Sequence, residues 1–414
     1  MEEWKSYKLG EISTIQTGPF GSQLHQSDYV ESGVPCIMPT NIGRMLDFQL
    51  ADIAHITEDD ACKLSRHIVH EGDIVYSRRG DIEKCAYVSP EQDGWFCGTG
   101  CLKITINPNL AVPKFVAYLL STTEIKSWIV GNAVGTTMLN LNTAVLSDVP
   151  LSLPSLQTQK RCVRILDSLE SKISLNNRIN HNLEEQAQAL YKSWFVDFEP
   201  FRDGEFVDSD LGLIPVGWRS MRAEDICPIN IGKTPPRKES EWFSANKDDY
   251  TWVSISDMSD CGTYIDSSSE TLTHEAIRKF NIAIVPAGSV LLSFKLTIGR
   301  VAIANKELTT NEAIARFVTN SPALTNYLYL ALKNYDYSKL GSTSSIAIAV
   351  NSKIIKAMPL VYPGRDVVNK FAGIVAGLFE EIKKRQRENK VLAEIRNSAL
   401  PRLMSGDSLP YLNC

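Results

Sequence analysis

The chain lacks most of what marks an enzyme or a membrane protein. No Walker-type phosphate loop and no Ser/His/Asp set stands out, and no Asn-Pro-Pro-Tyr or Asp-Pro-Pro-Tyr loop is present to hold a flipped base. No apolar run approaches the roughly 18 residues needed to cross a membrane, and no signal peptide is visible. The nine cysteines are odd in number and contain no CxxC pair, which excludes a disulfide scaffold and a familiar zinc spacing. A soluble, cytoplasmic protein with free thiols is the expectation. Basic excess is missing too: a formal net charge of −5 argues against nonspecific coating of nucleic acid, although a local basic surface remains compatible with it.

Isolated chemical signals are weak. Phe96-Cys97-Gly98-Thr99-Gly100 fits the FxGxG pattern of adenosyl-methionine-dependent methyltransferases, but a strand-like Leu102-Lys103-Ile104 follows where a helix is needed, so a turn between strands is favoured. Glu124-Ile125-Lys126 and Glu381-Ile382-Lys383 read as solvated helix faces rather than nuclease metal sites. Cys62, His67 and His70 have no fourth zinc ligand at a usual spacing, and Cys97 with Cys101 fails the same test. No catalytic residue and no metal site is assigned.

What the chain does have is one helical pattern used twice. Steps of four and three pick out Cys162, Leu166, Leu169, Ile173, Asn176, Asn180, Leu183, Ala187, Leu190 and Trp194. The same steps fall on Phe371, Val375, Leu378, Ile382, Arg385, Asn389, Leu392, Arg396, Ala399 and Leu403, with a constant offset of 371 − 162 = 209. Interrupted by no proline before Pro401, each run predicts a helix of roughly 40 residues, roughly 60 Å long. Ser155 is a plausible cap for the first. Asn176, Asn180 and Asn389 in the seam leave two readings open: they fix register at a cost in stability, or a wide seam turns them to solvent.

The flanking segments repeat as well. Trp4 to Gly18 returns as Trp218 to Gly232 (218 − 4 = 214), Gly72-Asp73-Ile74-Val75-Tyr76-Ser77 returns as Gly288 to Ser293, and Pro150-Leu151 returns as Pro359-Leu360. Short strands bounded by Gly, Pro and Asn fill 33–44 and 67–84, Leu102–Ile106 reads as a strand, Lys114–Val130 as one helix and Gly135-Thr136-Thr137 as a loop. The predicted class is therefore α+β, with two similar strand-rich α/β domains separated by two long antiparallel, coiled-coil-like helices in a pseudo-two-fold internal repeat. Boundaries are set at 1–153 for the first domain, 154–198 for the first helix and 199–217 for a connector; the second domain is 218–362, the second helix 363–406 and the tail 407–414. The antiparallel choice follows from the connector, since a parallel pair would stretch about 20 residues to nearly their full reach of about 3.5 Å each.

Two like frames with unlike loops, on a rod, suit the reading of two things at a fixed spacing, and double-stranded DNA is an extended target of that scale. The candidate contacts in the first domain are Gly18, Ser22 and Gln23, then Arg78, Arg79 and Lys84, and Thr136 with Thr137. Their counterparts in the second are Lys233, Arg237 and Lys238, then Lys295 and Arg300, and Ser342, Thr343 and Ser344. Arg and Gln suit bidentate contacts to base edges, whereas Lys, Ser and Thr suit phosphates. The aromatic run Trp194, Phe195, Phe198 and Phe201 is too apolar for an exposed connector; a protein interface, with Leu403 added to it, is the favoured role, and packing against the second domain is the alternative.

Several blocks together resemble the specificity subunit of type I restriction-modification systems. They are the Trp-Lys-x-x-x-Leu opening, Gly72 to Ser77, Pro150-Leu151-Ser152-Leu153-Pro154, Ala189 to Phe198, and Ser398-Ala399-Leu400-Pro401-Arg402-Leu403-Met404-Ser405-Gly406. The second copy departs from the pattern at Lys295-Leu296-Thr297 and at Val361-Tyr362-Pro363. The resemblance implies a non-catalytic subunit whose two target recognition domains read the halves of an asymmetric, gapped DNA site. It also implies helices that set the gap and dock two methyltransferase subunits, S-adenosylmethionine bound on those partners, and a restriction/translocase subunit as a further partner. A protein-only assembly adaptor is the competing reading.

Overall fold

The computed structural model describes residues 4–43, 45–133, 140–246, 248–259, 261–340 and 350–406. The chain divides into two compact units, Met1–Lys172 with Leu392–Cys414, and Ile173–Val391. Each is described in turn.

In the first unit, an antiparallel sheet has the order Ser13–Thr17, Cys101–Ile106, Ile74–Ser77, Cys85–Tyr87. The Ile74-Val75-Tyr76 run is apolar without alternation because both faces of its strand are covered. Ile74, Tyr76, Leu102 and Ile104 pack with Phe115 and Leu119 on one face, while Val75 and Ala86 join Ile37, Val69 and Cys97 on the other. A second sheet runs Tyr29–Val30, Ala54–Ile56, Val34–Ile37, Phe96–Cys97. Lys5–Lys8 pairs antiparallel with Pro150–Leu153, closing the domain at its chain ends.

The second unit repeats this plan. Its main sheet is Ile229–Ile231, Ile314–Phe317, Val290–Ser293, Val301–Ala304, Tyr264–Ile265, its second sheet is Phe243–Ser244, Glu270–Leu272, Tyr250–Val253, Thr309–Thr310, and Arg219–Arg222 pairs with Pro359–Tyr362. Again the central strand is buried on both faces, with Val290 and Leu292 on one side and Leu291 on the other. The repeat read from the sequence is a repeat of strand pairings.

The long helices are Leu156–Phe195 and Arg365–Ser405. Ser155 caps the first, its Oγ accepting from the Thr158 amide at 3.4 Å. Inside the first unit Cys162 Sγ lies 3.8 Å from the Leu403 carbonyl and Arg396 Nη1 bonds Glu170 at 2.9 Å, so the segments run antiparallel. Inside the second unit they are antiparallel too: Asn176 meets Asn389, and Trp194 meets Phe371 at 5.6 Å between ring centroids.

One expectation changes, and two details are added. The run 114–130 is two helices, Pro113–Leu120 and Thr123–Asn132, because the Ser121 and Thr122 hydroxyls each take a carbonyl three residues back at 2.7 Å. Pro401 lies in the last turns of the second long helix, where burial of Leu403 and Met404 offsets the lost backbone bond. The connector folds as an antiparallel hairpin, Phe206–Ser209 with Gly212–Pro215.

Candidate nucleic-acid interface

Strand register places the predicted loops at one end of each main sheet. In the first unit Thr17 pairs with Leu102, Ser77 with Cys101 and Tyr76 with Cys85, so the loops 18–23, 78–84 and 98–100 leave the sheet together. Gly18 is buried under this end, its amide donating to the Cys101 carbonyl at 2.9 Å, and a Cβ there would meet the Gly98 oxygen at 2.1 Å. It is a packing position, and not the surface contact expected of it. Ser22 and Gln23 are exposed above it. The Gln23 Oε1 accepts from the Phe20 amide at 3.3 Å and from Arg66 Nη2 at 3.4 Å.

Arg78 is half-buried, with its guanidinium 5.7 Å from the centroid of the exposed Phe20 ring and its Nε buried without a partner. Arg79 is exposed and bridges to Asn140 through the backbone, while half-buried Lys84 pairs with Asp81 at 3.3 Å. Thr136 and Thr137 lie outside the described residues. Beneath the cluster, His67 is buried, its Nε2 accepting from Arg66 Nε at 3.1 Å and its Nδ1 lying 3.5 Å from the Gln16 amide nitrogen. Burial, with Arg66 and Lys103 close by, lowers its pKa to about 4.

The second unit gathers its loops in the same way: Ile231 pairs with Ala315, Ser293 with Ile314 and Leu292 with Val301. Lys233, Arg237, Lys238 and Lys295 are all exposed here, and Arg300 is half-buried. Two of the arginines are already engaged. Arg237 Nη1 bonds both Glu270 oxygens at 2.8 Å and its guanidinium lies over Phe243 and Trp252 at 4.3 and 4.6 Å, while Arg300 Nη1 donates to the Ile255 carbonyl at 2.7 Å. Lys233 Nζ donates to the carbonyls of Phe280 and Asn281 at 3.3 and 3.1 Å. Ser342, Thr343 and Ser344 lie outside the described residues.

Sequence reasoning passed over Phe20 and Arg66. Phe20, an aromatic in a Gly-Pro-Phe-Gly turn, carried a signal; Arg66, 43 positions from Gln23, carried none.

The structure packs the aromatic run against the core of the second domain. Phe195 is 3% exposed, within 5.0 Å of the Tyr327 ring and 4.8 Å of Phe371. Trp194, Phe198 and Phe201 are half-buried against the same core through Phe371 and Trp218. Leu403 is buried in the first unit. These residues build cores, because a long helix must be fixed to the domain it enters. The FxGxG segment is a turn joining Phe96–Cys97 to Cys101–Ile106, with Gly100 at φ +88°. Among the described residues no group of three or more His, Cys, Asp or Glu is placed to hold a metal ion, and no helix is long and apolar enough to cross a membrane.

Comparison with known proteins finds the family model described as "Type I restriction modification DNA specificity domain" matching residues 1–185 and 215–393. The chain is 26% identical to the Type I restriction enzyme HindI specificity subunit of Haemophilus influenzae, over 98% of this chain and 100% of that protein. It is 25% identical to the MjaIX specificity subunit of Methanocaldococcus jannaschii, over 98% of this chain and 94% of that one. Among solved structures, the S subunit of a type I restriction-modification system from M. genitalium has the same fold, with a TM-score of 0.56 at 12% identity, covering 97% of this chain and 96% of that one.

Proposed function

Because the chain belongs to the type I restriction modification DNA specificity family, and so is the sequence-specificity subunit of such a system, we propose that residues 1–153 and 218–362 each read one half of a bipartite, gapped DNA site. One observation carries the reading. Both main sheets gather their loops at the same end, yet the side chains offered there are unlike: Gln23, Arg78 and Arg79 in one unit, Lys233, Lys238 and Lys295 in the other. Equal frames with unequal contact chemistry give unequal half-sites, hence a non-palindromic target.

Arg78, Arg79 and Gln23 are the base-edge readers, since a guanidinium fork or a carboxamide matches two groups on one base. Ser22, Lys84, Lys233, Lys238, Lys295, Thr136, Thr137, Ser342, Thr343 and Ser344 take phosphates and fix register. Gly18, Arg237 and Arg300 hold the loops in shape. The helices within 154–198 and 363–406 set the gap and dock two methyltransferase subunits. The chain itself is non-catalytic: methyl transfer from S-adenosylmethionine belongs to those subunits, and cleavage to a restriction/translocase subunit.

The test is the salt dependence of DNA binding by the chain in complex with its modification subunits. With six or more phosphate contacts, affinity falls by about 10³-fold or more between 50 and 200 mM salt. An adaptor that binds only proteins shows no sequence-dependent shift at either salt.

A further inference from the structure

At the loop end of the second unit, Leu296 stands at the tip of the 294–299 turn, its side chain fully exposed (103%), while the next most exposed large apolar side chain among the described residues is Leu213 at 60%. A single exposed leucine is ordinary on a protein surface, and what sets Leu296 apart is the degree of its exposure at a loop tip. The backbone adds a second oddity: Leu296 has φ +60°, a left-handed conformation that a branched side chain rarely adopts.

The turn is nevertheless held firmly. Phe294 is buried at its base, with its amide donating to the Ala313 carbonyl at 2.9 Å. Ser293 Oγ donates to the Thr297 carbonyl at 2.6 Å and accepts from the Arg300 amide at 3.0 Å. The Gly299 amide closes the loop on the Ser293 carbonyl at 3.1 Å. An apolar side chain is thus presented outward on a braced tip, with the cations Lys295 and Lys233 on the same sheet end.

The first unit offers its own version from a different loop. Phe20 is 55% exposed beside Arg78 and Gln23. Each reading end therefore carries one large apolar side chain among groups suited to phosphates and base edges.

We propose that Leu296 is a wedge that inserts between two adjacent base pairs of the half-site read by the second unit, unstacking that step, and that Phe20 serves the first unit in the same way. The inference rests on the DNA-reading function above. Lys295 beside the tip and Lys233 on the neighbouring loop hold the backbone, and the apolar tip gains contact only where two bases part. Such a wedge favours flexible pyrimidine–purine steps, so it contributes specificity without any hydrogen bond to a base. A more polar tip would keep its hydration and lose that discrimination.

The experiment uses the full chain with its modification subunits on a duplex bearing its mapped site, with 2-aminopurine placed singly at each position of the half-site other than the methylated adenine. The wild-type complex raises fluorescence at one step. At equal occupancy Leu296→Ser abolishes that rise and Leu296→Met keeps it, while affinity for the site falls about tenfold in Leu296→Ser. An unchanged rise in Leu296→Ser, or no unstacked step in a tightly bound wild-type complex, overturns the wedge and leaves DNA reading intact. Loss of sequence-dependent binding by the wild-type complex overturns the reading and the wedge with it.

Discussion

Asn176 and Asn389 face each other across the two long helices inside the second unit, the Asn176 amide nitrogen donating to the Asn389 Oδ1 at 2.8 Å. Asn176 is wholly buried and fully engaged, since its amide also donates to Glu388 at 2.8 Å and its Oδ1 accepts from Arg385 at 3.2 Å. Of the two readings open for the polar seam, register wins at this pair. Asn180, with a buried Oδ1 that has no partner, gains nothing comparable.

Removing one side of that network strands the others. Asn176→Ala should destabilise the second unit by about 1–3 kcal/mol, the cost of a buried polar group left unpaired. A double change of Asn176→Leu with Asn389→Leu should recover part of the loss. Urea denaturation followed by tryptophan fluorescence measures both, and an Asn176→Ala midpoint equal to wild type would refute the assignment.

The aromatic cluster at the end of the first long helix separates core from partner interface. Phe195→Ala should cost about 3–5 kcal/mol of stability in the isolated chain, as large-to-small changes in a packed core do. Val196→Ser, one position on and 51% exposed, should cost less than about 0.5 kcal/mol. If Phe195→Ala leaves the melting temperature unchanged and only weakens binding to the modification subunits, the core reading is wrong.

Much of this fold was legible because it occurs twice. The offset of 209 between seam positions announced equivalent helices, and Gly72 to Ser77 against Gly288 to Ser293 announced equivalent strands. The candidate surface was legible only as loops. That Arg237 is spent on Glu270, and that Gly18 is sealed under Gly98, depends on contacts 33 and 80 positions away, which no local pattern encodes. The packing of the aromatic run was hidden for a related reason: Phe195 meets Tyr327 and Phe371, which lie far along the chain.

Lys238 and Arg237 are adjacent yet should behave differently. Lys238→Ala should weaken binding by a similar factor on every sequence and flatten the slope of log affinity against log salt by about 0.9, as the loss of one phosphate contact does. Arg237→Ala should also lower the melting temperature by a few degrees, because the Glu270 pair and the stacking on Phe243 and Trp252 together contribute about 1–2 kcal/mol. Salt-titrated mobility shifts and thermal melts of both variants distinguish the roles.

His67 predicts an acid sensitivity of the first unit. Its folded pKa of about 4 lies below the ordinary histidine value of 6.5, so the unfolded chain takes up a proton first as pH falls. Stability from this group is complete above pH 6.5 and is lost progressively between pH 6.5 and 4, by roughly 2–4 kcal/mol in total. His67→Gln should flatten the stability profile across that window. A wild-type profile that stays level from pH 7 to 4.5 would contradict the buried, neutral ring.

The central claim is that two domains in one chain each own half of one DNA site. It is tested most directly by mapping methylated bases in cells that carry this chain with its modification partner, against a chimera whose residues 1–153 come from a relative of different specificity. The account predicts a gapped, asymmetric motif in which the chimera changes one half and preserves the other half and the gap. A chimera that alters both halves, or methylation that takes no motif from this chain despite an active partner, would contradict it.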